Sequence, residues 1–360
     1  MAKSSTWSFS TKMEQELKVI TYNVHSCVGS DSVYSIDRIS RTLANQNPDI
    51  VCLQEIEDNS GDERGKVPIR LWSTTHRSHQ PQEIAAHLNM DYCAFAPAVK
   101  SRVVPRTTCL PSKLLPLTEE HDGPYGGYFG NAILSKHKIL QTEHYAFRRF
   151  KRKTCRNAVA CFLELPGNIT MWVVTTHLGV HPTGEEQYQQ AKELFEFLTY
   201  LENLPLDHHH RNSTATNGSS AGIILCGDLN SLPWFRSIQT LKSKMVDAWE
   251  INHTNRHDKG HTFPAAGLPL LCCRYLPSFF RLDYIFYKSS SITISSMTDH
   301  GDQDEDNSRL ICPTTYPTNS SIEIQQIYVL RKGTGADIMG SDHLALCAIF
   351  GVHTPQEDKL

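Results

Sequence analysis

The chain has 360 residues, 35 Lys plus Arg against 38 Asp plus Glu, a formal charge of −3 and 39% hydrophobic residues. That balance excludes a global electrostatic pull towards nucleic acid or anionic membrane, and no apolar run approaches the roughly 20 residues of a membrane-spanning helix. Eleven cysteines without metal-finger spacing, several inside apolar runs (Cys52, Cys161, Cys226), point to a cytoplasmic or other reducing compartment, and the polar stretch 1–16 holds no apolar signal-peptide core.

In chain order, Leu17 to Tyr22 reads as a strand delivering Asn23 and His25 at its end. Ser35 to Asn45 has helical spacing, with Ile36, Ile39 and Leu43 on one face, and Asp49 to Leu53 is a second strand ending in Gln54 and Glu55. Gln80 to Leu88 reads as a short helix. The stretch from there to Tyr125, rich in Pro, Thr and charge, reads as loop. Tyr128 to Leu134 returns to strand. Two apolar runs, Thr154 to Leu165 and Ile169 to Thr176, flank Pro166-Gly167-Asn168 at hairpin spacing, and the second delivers His177.

Glu185 to Leu201 is the clearest helix, with Ala191, Leu194, Leu198 and Leu201 on one stripe. Residues 206–221 are polar and of low complexity, and are expected to form a flexible insertion. Gly222 to Asn230 follows: a buried strand, a permissive Gly227, then Asp228 and Asn230 two residues apart on one side of the chain. Beyond it come a short helix over Trp234 to Lys242, a strand over Arg281 to Tyr287, an acidic loop over Asp299 to Asn307, and strands over Ile322 to Leu330 and Leu344 to Phe350. Asp342 and His343 immediately precede the last strand.

Six strand ends therefore carry polar residues that turn chemistry alone does not explain: Asn23, Glu55, His177, Asp228 with Asn230, Asp283, and Asp342 with His343. Charged side chains are almost never fully buried unless paired or bound to metal. A donor set rich in oxygen suits Mg²⁺ or Mn²⁺, whereas neither HExxH nor paired CxxC is present for zinc. Two histidines and several carboxylates beside a hard cation suit attack of water on a phosphoester.

The ordered set Asn23-Val24-His25, Gln54-Glu55, Thr176-His177-Leu178, Gly227-Asp228-Leu229-Asn230, Leu282 to Phe286 and Ser341-Asp342-His343 resembles the motifs of the endonuclease/exonuclease/phosphatase superfamily. The resemblance runs from about residue 18 to residue 350. It implies a four-layer α/β sandwich, two mixed β-sheets face to face with helices outside and the active site at one end. With no internal repeat and no linker in the sequence, one catalytic domain is expected over 17–352, with polar tails at 1–16 and 353–360.

Carried over residue by residue, the resemblance implies that Glu55 is the main metal carboxylate, with Asn23 and Asp342 holding metal or its waters. Asp228 corresponds to the residue that orients or deprotonates the attacking water, and Asn230 to a donor to the phosphate. His343 corresponds to the histidine on the scissile phosphate with Asp283 behind it, and His177 to the second histidine. Arg156, and Asn131 beside it, correspond to phosphate-site residues, Asn131 being equally readable as a strand-end cap or a guide for His177. Glu57 and Asp58 read as solvated, and Tyr284 as packing.

The chemistry leaves the substrate open: a lipid head group or small phosphodiester is favoured, with nucleic acid the alternative. The case for nucleic acid rests on the basic run 147–156, which otherwise reads as a solvated face, and the case for lipid on the apolar stretch 268–280, which reads equally as a buried strand connection. A catalytically silent scaffold is the reading of another class, disfavoured because the carboxylates, amides and histidines of the set are all present.

Overall fold

The computed structural model describes residues 11–58, 78–102, 114–116, 125–150, 154–204, 220–251, 258–264, 268–270, 274–276, 279–290, 320–331 and 340–355. The acidic loop 299–307 and nearly all of the 206–221 insertion lie outside them.

One sheet has seven strands: β1 (Thr11–Asn23), β2 (Ile50–Asp58), β3 (Tyr92–Arg102), β4 (Leu114–Pro116), β5 (Tyr125–Ser135), β14 (Ser321–Val329) and β15 (Leu346–Pro355), in the order β14-β15-β1-β2-β5-β3-β4. The other has six: β6 (Lys138–Ala146), β7 (Asn157–Leu165), β8 (Ile169–His177), β9 (Ser220–Asp228), β10 (Val246–Asp247) and β13 (Asp283–Ser289), in the order β10-β13-β9-β8-β7-β6. Each sheet is mixed, with parallel pairing at β1–β2 and at β8–β9 and antiparallel pairing elsewhere. A separate two-stranded ribbon, β11 (Leu268–Leu270) with β12 (Arg274–Leu276), belongs to neither sheet.

Period-two alternation explains the layering. Val19, Ile50, Cys52, Val173, Ile224 and Cys226 face inward and form the core between the sheets. Their neighbours Ile20, Val51 and Leu53 face outward beneath α1 (Ile36–Ala44) and α2 (Gln80–His87). On the other sheet Trp172, Val174, Ile223 and Leu225 pack under α3 (Glu185–Asn203) and α4 (Arg236–Lys242). Strands covered on both faces read as unbroken apolar runs, which is why they are legible in the sequence.

Some elements differ from the sequence reading. β1 begins at Thr11, inside the stretch read as a polar tail, because it pairs along its length with β15. The stretch read as loop before Tyr125 contains β3, in which the ladder shifts register between Pro97 and Val99 to accommodate a residue without an amide hydrogen. β6 is an edge strand of mostly half-buried residues, so it lacks the apolar signature of the interior strands. α4 starts at Arg236, two residues after Trp234.

Candidate active site

The site is the inter-sheet core continued by two residues. Along β1 the inward positions run Val19, Thr21, Asn23; along β8, Val173, Thr175, His177; along β9, Ile224, Cys226, Asp228. On β13, Asp283 lies two residues before inward-facing Ile285, and on β5 and β7 the same parity places Asn131 and Asn157. The dry core thus grades into a polar layer without any change of face. Gln54 ties the sheets beneath the site, its Nε2 donating to Thr21 Oγ1 at 3.0 Å and to Thr175 Oγ1 at 2.8 Å.

Backbone irregularity supplies what strict alternation cannot. Alternation alone would send Glu55 to the outer face. A register shift between Leu53 and Ile56, with Glu55 at φ 55°, resets the phase and brings its Oε1 to 3.8 Å from His177 Nδ1. Asn230 is left-handed at φ 45°, and His25, Ser26 and Cys27, beginning two residues after Asn23, form a run at φ 47°, 56° and 59°. Left-handed conformations in non-glycine residues cost energy and concentrate at functional sites.

Asp228 is buried and held from two sides. Asn23 Nδ2 donates to its Oδ2 at 2.9 Å, and the Asn230 amide N–H donates to its Oδ1 at 2.9 Å. Burial raises its pKa to about 6, opposed by the positive charge of His343. His343 Nδ1 donates to Asp283 Oδ2 at 2.8 Å, and its Nε2 lies 3.6 Å from Asp228 Oδ2. Burial alone would lower the histidine pKa, but the carboxylates of Asp283 and Asp228 outweigh it and push the value up to about 10. The imidazole is therefore a fixed cation, and the ring of Phe263, its centroid 4.9 Å away, packs against it.

His177 is enclosed on both ring nitrogens. Arg156 donates from NH1 to Nδ1 at 2.9 Å, and the Asn230 amide lies 2.8 Å from Nε2 while donating to the carbonyl of Leu178. A guanidinium and an amide NH₂ can both only donate, so Nδ1 accepts from Arg156, while Nε2 lies between the Asn230 amide and Asp228 Oδ2, the latter at 3.4 Å. Arg156 is half-buried, unlike the exposed Arg148 and Arg149 in the same basic run, and its Nε is buried with no hydrogen-bond partner among the described residues. Across Asn157 from it, Asn131 donates to Asn157 Oδ1 at 2.7 Å, and its own buried Oδ1 has no partner among the described residues. Asp342, half-exposed, approaches His25 Nδ1 at 3.9 Å, and Ser341 ties this loop to β1 by donating to Asn23 O at 2.7 Å.

The residues singled out in the sequence thus converge at one end of the sandwich, with Asn131 one step aside at Asn157. Glu57 departs from expectation: it is fully buried beside Gln80 rather than solvated. Tyr284 is buried as expected, and its hydroxyl also donates to Ser231 O. Sequence reasoning passed over Gln187 and Gln190, which hang the loops after His177 and Asp228 from α3. Gln187 Nε2 donates to Asn230 O at 2.9 Å, and Gln190 Oε1 accepts from Gly179 N at 2.7 Å. The signal was there: polar side chains on the stripe that also carries Ala191 and Leu194.

Two mixed sheets face to face, with carboxylate and imidazole pairs gathered at their shared end, define a DNase-like α/β sandwich of the hydrolase class. The Endonuclease/Exonuclease/phosphatase family model matches residues 20–343, and the chain belongs to that family, whose members act on phosphoester bonds. A curated relative, the CCR4-Not complex 3'-5'-exoribonuclease subunit Ccr4 of Kluyveromyces lactis, is 29% identical over 186 residues, which is 47% of this chain but only 22% of that protein. Among solved structures, an endonuclease/exonuclease/phosphatase from Beutenbergia cavernae superposes with a TM-score of 0.54 at 17% identity, over 94% of this chain and 72% of that one. The human Nocturnin catalytic domain with bound sulfate gives 0.52 at 16% identity, over 96% of each chain. At such identities these structures speak for the fold.

Proposed function

We propose that the chain is a divalent-metal-dependent phosphodiesterase in which water attacks phosphorus in line. The observation that carries this reading is the Asp283–His343 ion pair set against buried Asp228, at 2.8 and 3.6 Å. It provides a fixed cation and a carboxylate of raised basicity side by side, which is what proton removal from water next to a charged phosphoryl group needs.

Each residue then has a task. Asp228 orients the water and takes its proton, its other lone pairs being committed to Asn23 and Asn230. His343 donates from Nε2 to a non-bridging oxygen, and Asp283 holds the ring and its charge. The unpartnered Nε of Arg156 is a donor in reserve for a second phosphoryl oxygen, since a buried donor without an acceptor costs about 1–3 kcal/mol. His177 stabilises the developing oxyanion or the leaving oxygen. Asn230 steadies both His177 and Asp228, and contributes to the phosphate contact.

The donor set fits a hard cation. Asp228, Asp283 and His343 lie within 4.8 Å of one another, but a doubly protonated His343 has no lone pair to give. Glu55, with the oxygen of Asn23 and the carboxylate of Asp342, is the oxygen set that would hold Mg²⁺ or Mn²⁺. The ion would supply Lewis-acid polarisation of the phosphoryl group.

Hydrolysis of bis-p-nitrophenyl phosphate tests the proposal. Wild-type turnover should need Mg²⁺ or Mn²⁺ and vanish in EDTA. Asp228→Asn and His343→Asn should each lower kcat by about 10²–10⁴-fold in protein that still unfolds in one cooperative transition. Full turnover in EDTA, or in both variants, rejects it. A nucleic-acid backbone is the second reading, favoured by exposed Arg148 and Arg149 at the strand end beside Arg156. An oligonucleotide cleaved much faster than the small diester would select it.

A further inference from the structure

The parallel pairing of β1 with β2 stops before β2 does. Asn23 opposite Gln54 is the last pair, and Val24 N donates to Gln54 O at 3.0 Å before the chain turns away through His25, Ser26 and Cys27. β2 runs on from Glu55 to Asp58 along an edge that β1 has left. Asn23 and Glu55, both read above as metal-holding, stand at this parting. Each depends on left-handed backbone: Glu55 itself at φ 55°, and the run that begins at His25. Such conformations persist only where the surroundings over-determine them.

The segment 78–80 takes up the vacated edge. His79 forms an antiparallel bridge to Asp58, and Tyr34 Oη and Ser78 Oγ share a hydrogen bond at 2.9 Å. Gln80, the first residue of α2, is fully buried and puts its amide into the parting. Its Oε1 accepts from Glu57 N at 2.8 Å, and its Nε2 donates to Ser26 O at 3.0 Å. One partner is a donor and the other an acceptor, so the amide fits only one way round. Glu57 and Ser26 are themselves fully buried, where backbone groups need partners. A side-chain amide thus replaces the peptide group of a departed strand, bonded to both chains at once.

We propose that Gln80 is a positioning residue of the metal site. It clamps β2 two residues past Glu55 to the turn three residues past Asn23, and so fixes how far apart the two side chains stand. The assignment rests on reading Glu55 and Asn23 as residues that hold the divalent ion. Because Gln80 acts through backbone, its loss falls on affinity for the ion before it falls on the chemical step. Partners behind metal ligands typically carry about 10–100-fold in affinity.

Mn²⁺ binding to the full chain, followed by isothermal titration calorimetry without substrate, tests this, with Glu55→Ala marking the binding that belongs to the site. Gln80→Met, close in shape but without the amide, should weaken that binding by about tenfold or more, and raising Mn²⁺ should restore much of its turnover of bis-p-nitrophenyl phosphate. Gln80→Glu keeps the acceptor for Glu57 N–H and should weaken binding by about threefold or more; it decides the question if Gln80→Met does not fold. Ile84→Ala removes buried packing from the same helix, and should lower the melting temperature while Mn²⁺ affinity stays within about twofold. Wild-type affinity in the Gln80 variants, or an equal loss in Ile84→Ala, overturns the proposal and leaves the metal reading standing. Wild-type protein whose Mn²⁺ binding is absent, or is unchanged by Glu55→Ala, overturns both.

Discussion

His343 and Asp228 must carry opposite charges for the proposed chemistry, and their surroundings set the window in which both do. Asp228 is ionised above about 6, and His343 remains protonated to about 10. The rate of diester hydrolysis should therefore rise as pH climbs through about 6, hold, and fall as pH passes about 10. Replacing Asp283 by Asn removes the principal support of the imidazolium, so the falling limb should move down towards the ordinary histidine range near ~6.5. An unmoved limb in Asp283→Asn would mean that His343 does not act through its charge. The same pair is linked to folding: because the folded state raises the histidine pKa, its stabilisation is complete below the unfolded value and is lost as pH rises through about 10. Arg156→Lys keeps a charge but loses the fork that donates to His177 and the spare Nε, so kcat should fall by about 10-fold or more while the fold stays intact. A wild-type rate in Arg156→Lys would reduce Arg156 to packing.

The parallel neighbours β8 and β9 bring His177 and Asp228 opposite each other, and Gly227 is what lets them approach. Its φ is 150°, and a Cβ there would lie 2.0 Å from the carbonyl oxygen of Thr176. Gly227→Ala must push the strands apart beside the site, costing about 1–3 kcal/mol and lowering kcat more than that loss alone accounts for. Chemical denaturation and diester turnover on one preparation would show both, and unchanged values would show that the strands yield. Such constraints decide what the sequence reveals. Strands buried on two faces announced themselves as apolar runs, and their polar ends stood out against them. β3 hid behind Pro97 and β6 behind its edge position. Glu57 looked solvated because a carboxylate two residues beyond Glu55 gives no sign of the register shift that turns it inward. Gln187 and Gln190 were visible but mute, since glutamine on a helix is ordinary until the loops it suspends are known.

At the scale of the whole molecule, the two sheets contribute unlike halves of one site: Asn23, Glu55 and Asn131 from the first, His177, Asp228 and Asp283 from the second, with Asp342 and His343 from the loop leading into β15. The sheets are also assembled differently from the chain. The six-stranded sheet draws all its strands from residues 138–289, whereas the seven-stranded sheet takes strands from both sides of that segment. β15 is not an edge: it lies between β14 and β1, bonded to both. During synthesis, therefore, β1 waits exposed on its β15 side for more than three hundred residues, while the central segment can already close upon itself. On the proposed chemistry, hydrolytic competence would arrive only when Asp342 and His343 have left the ribosome and β15 has slotted home between β14 and β1.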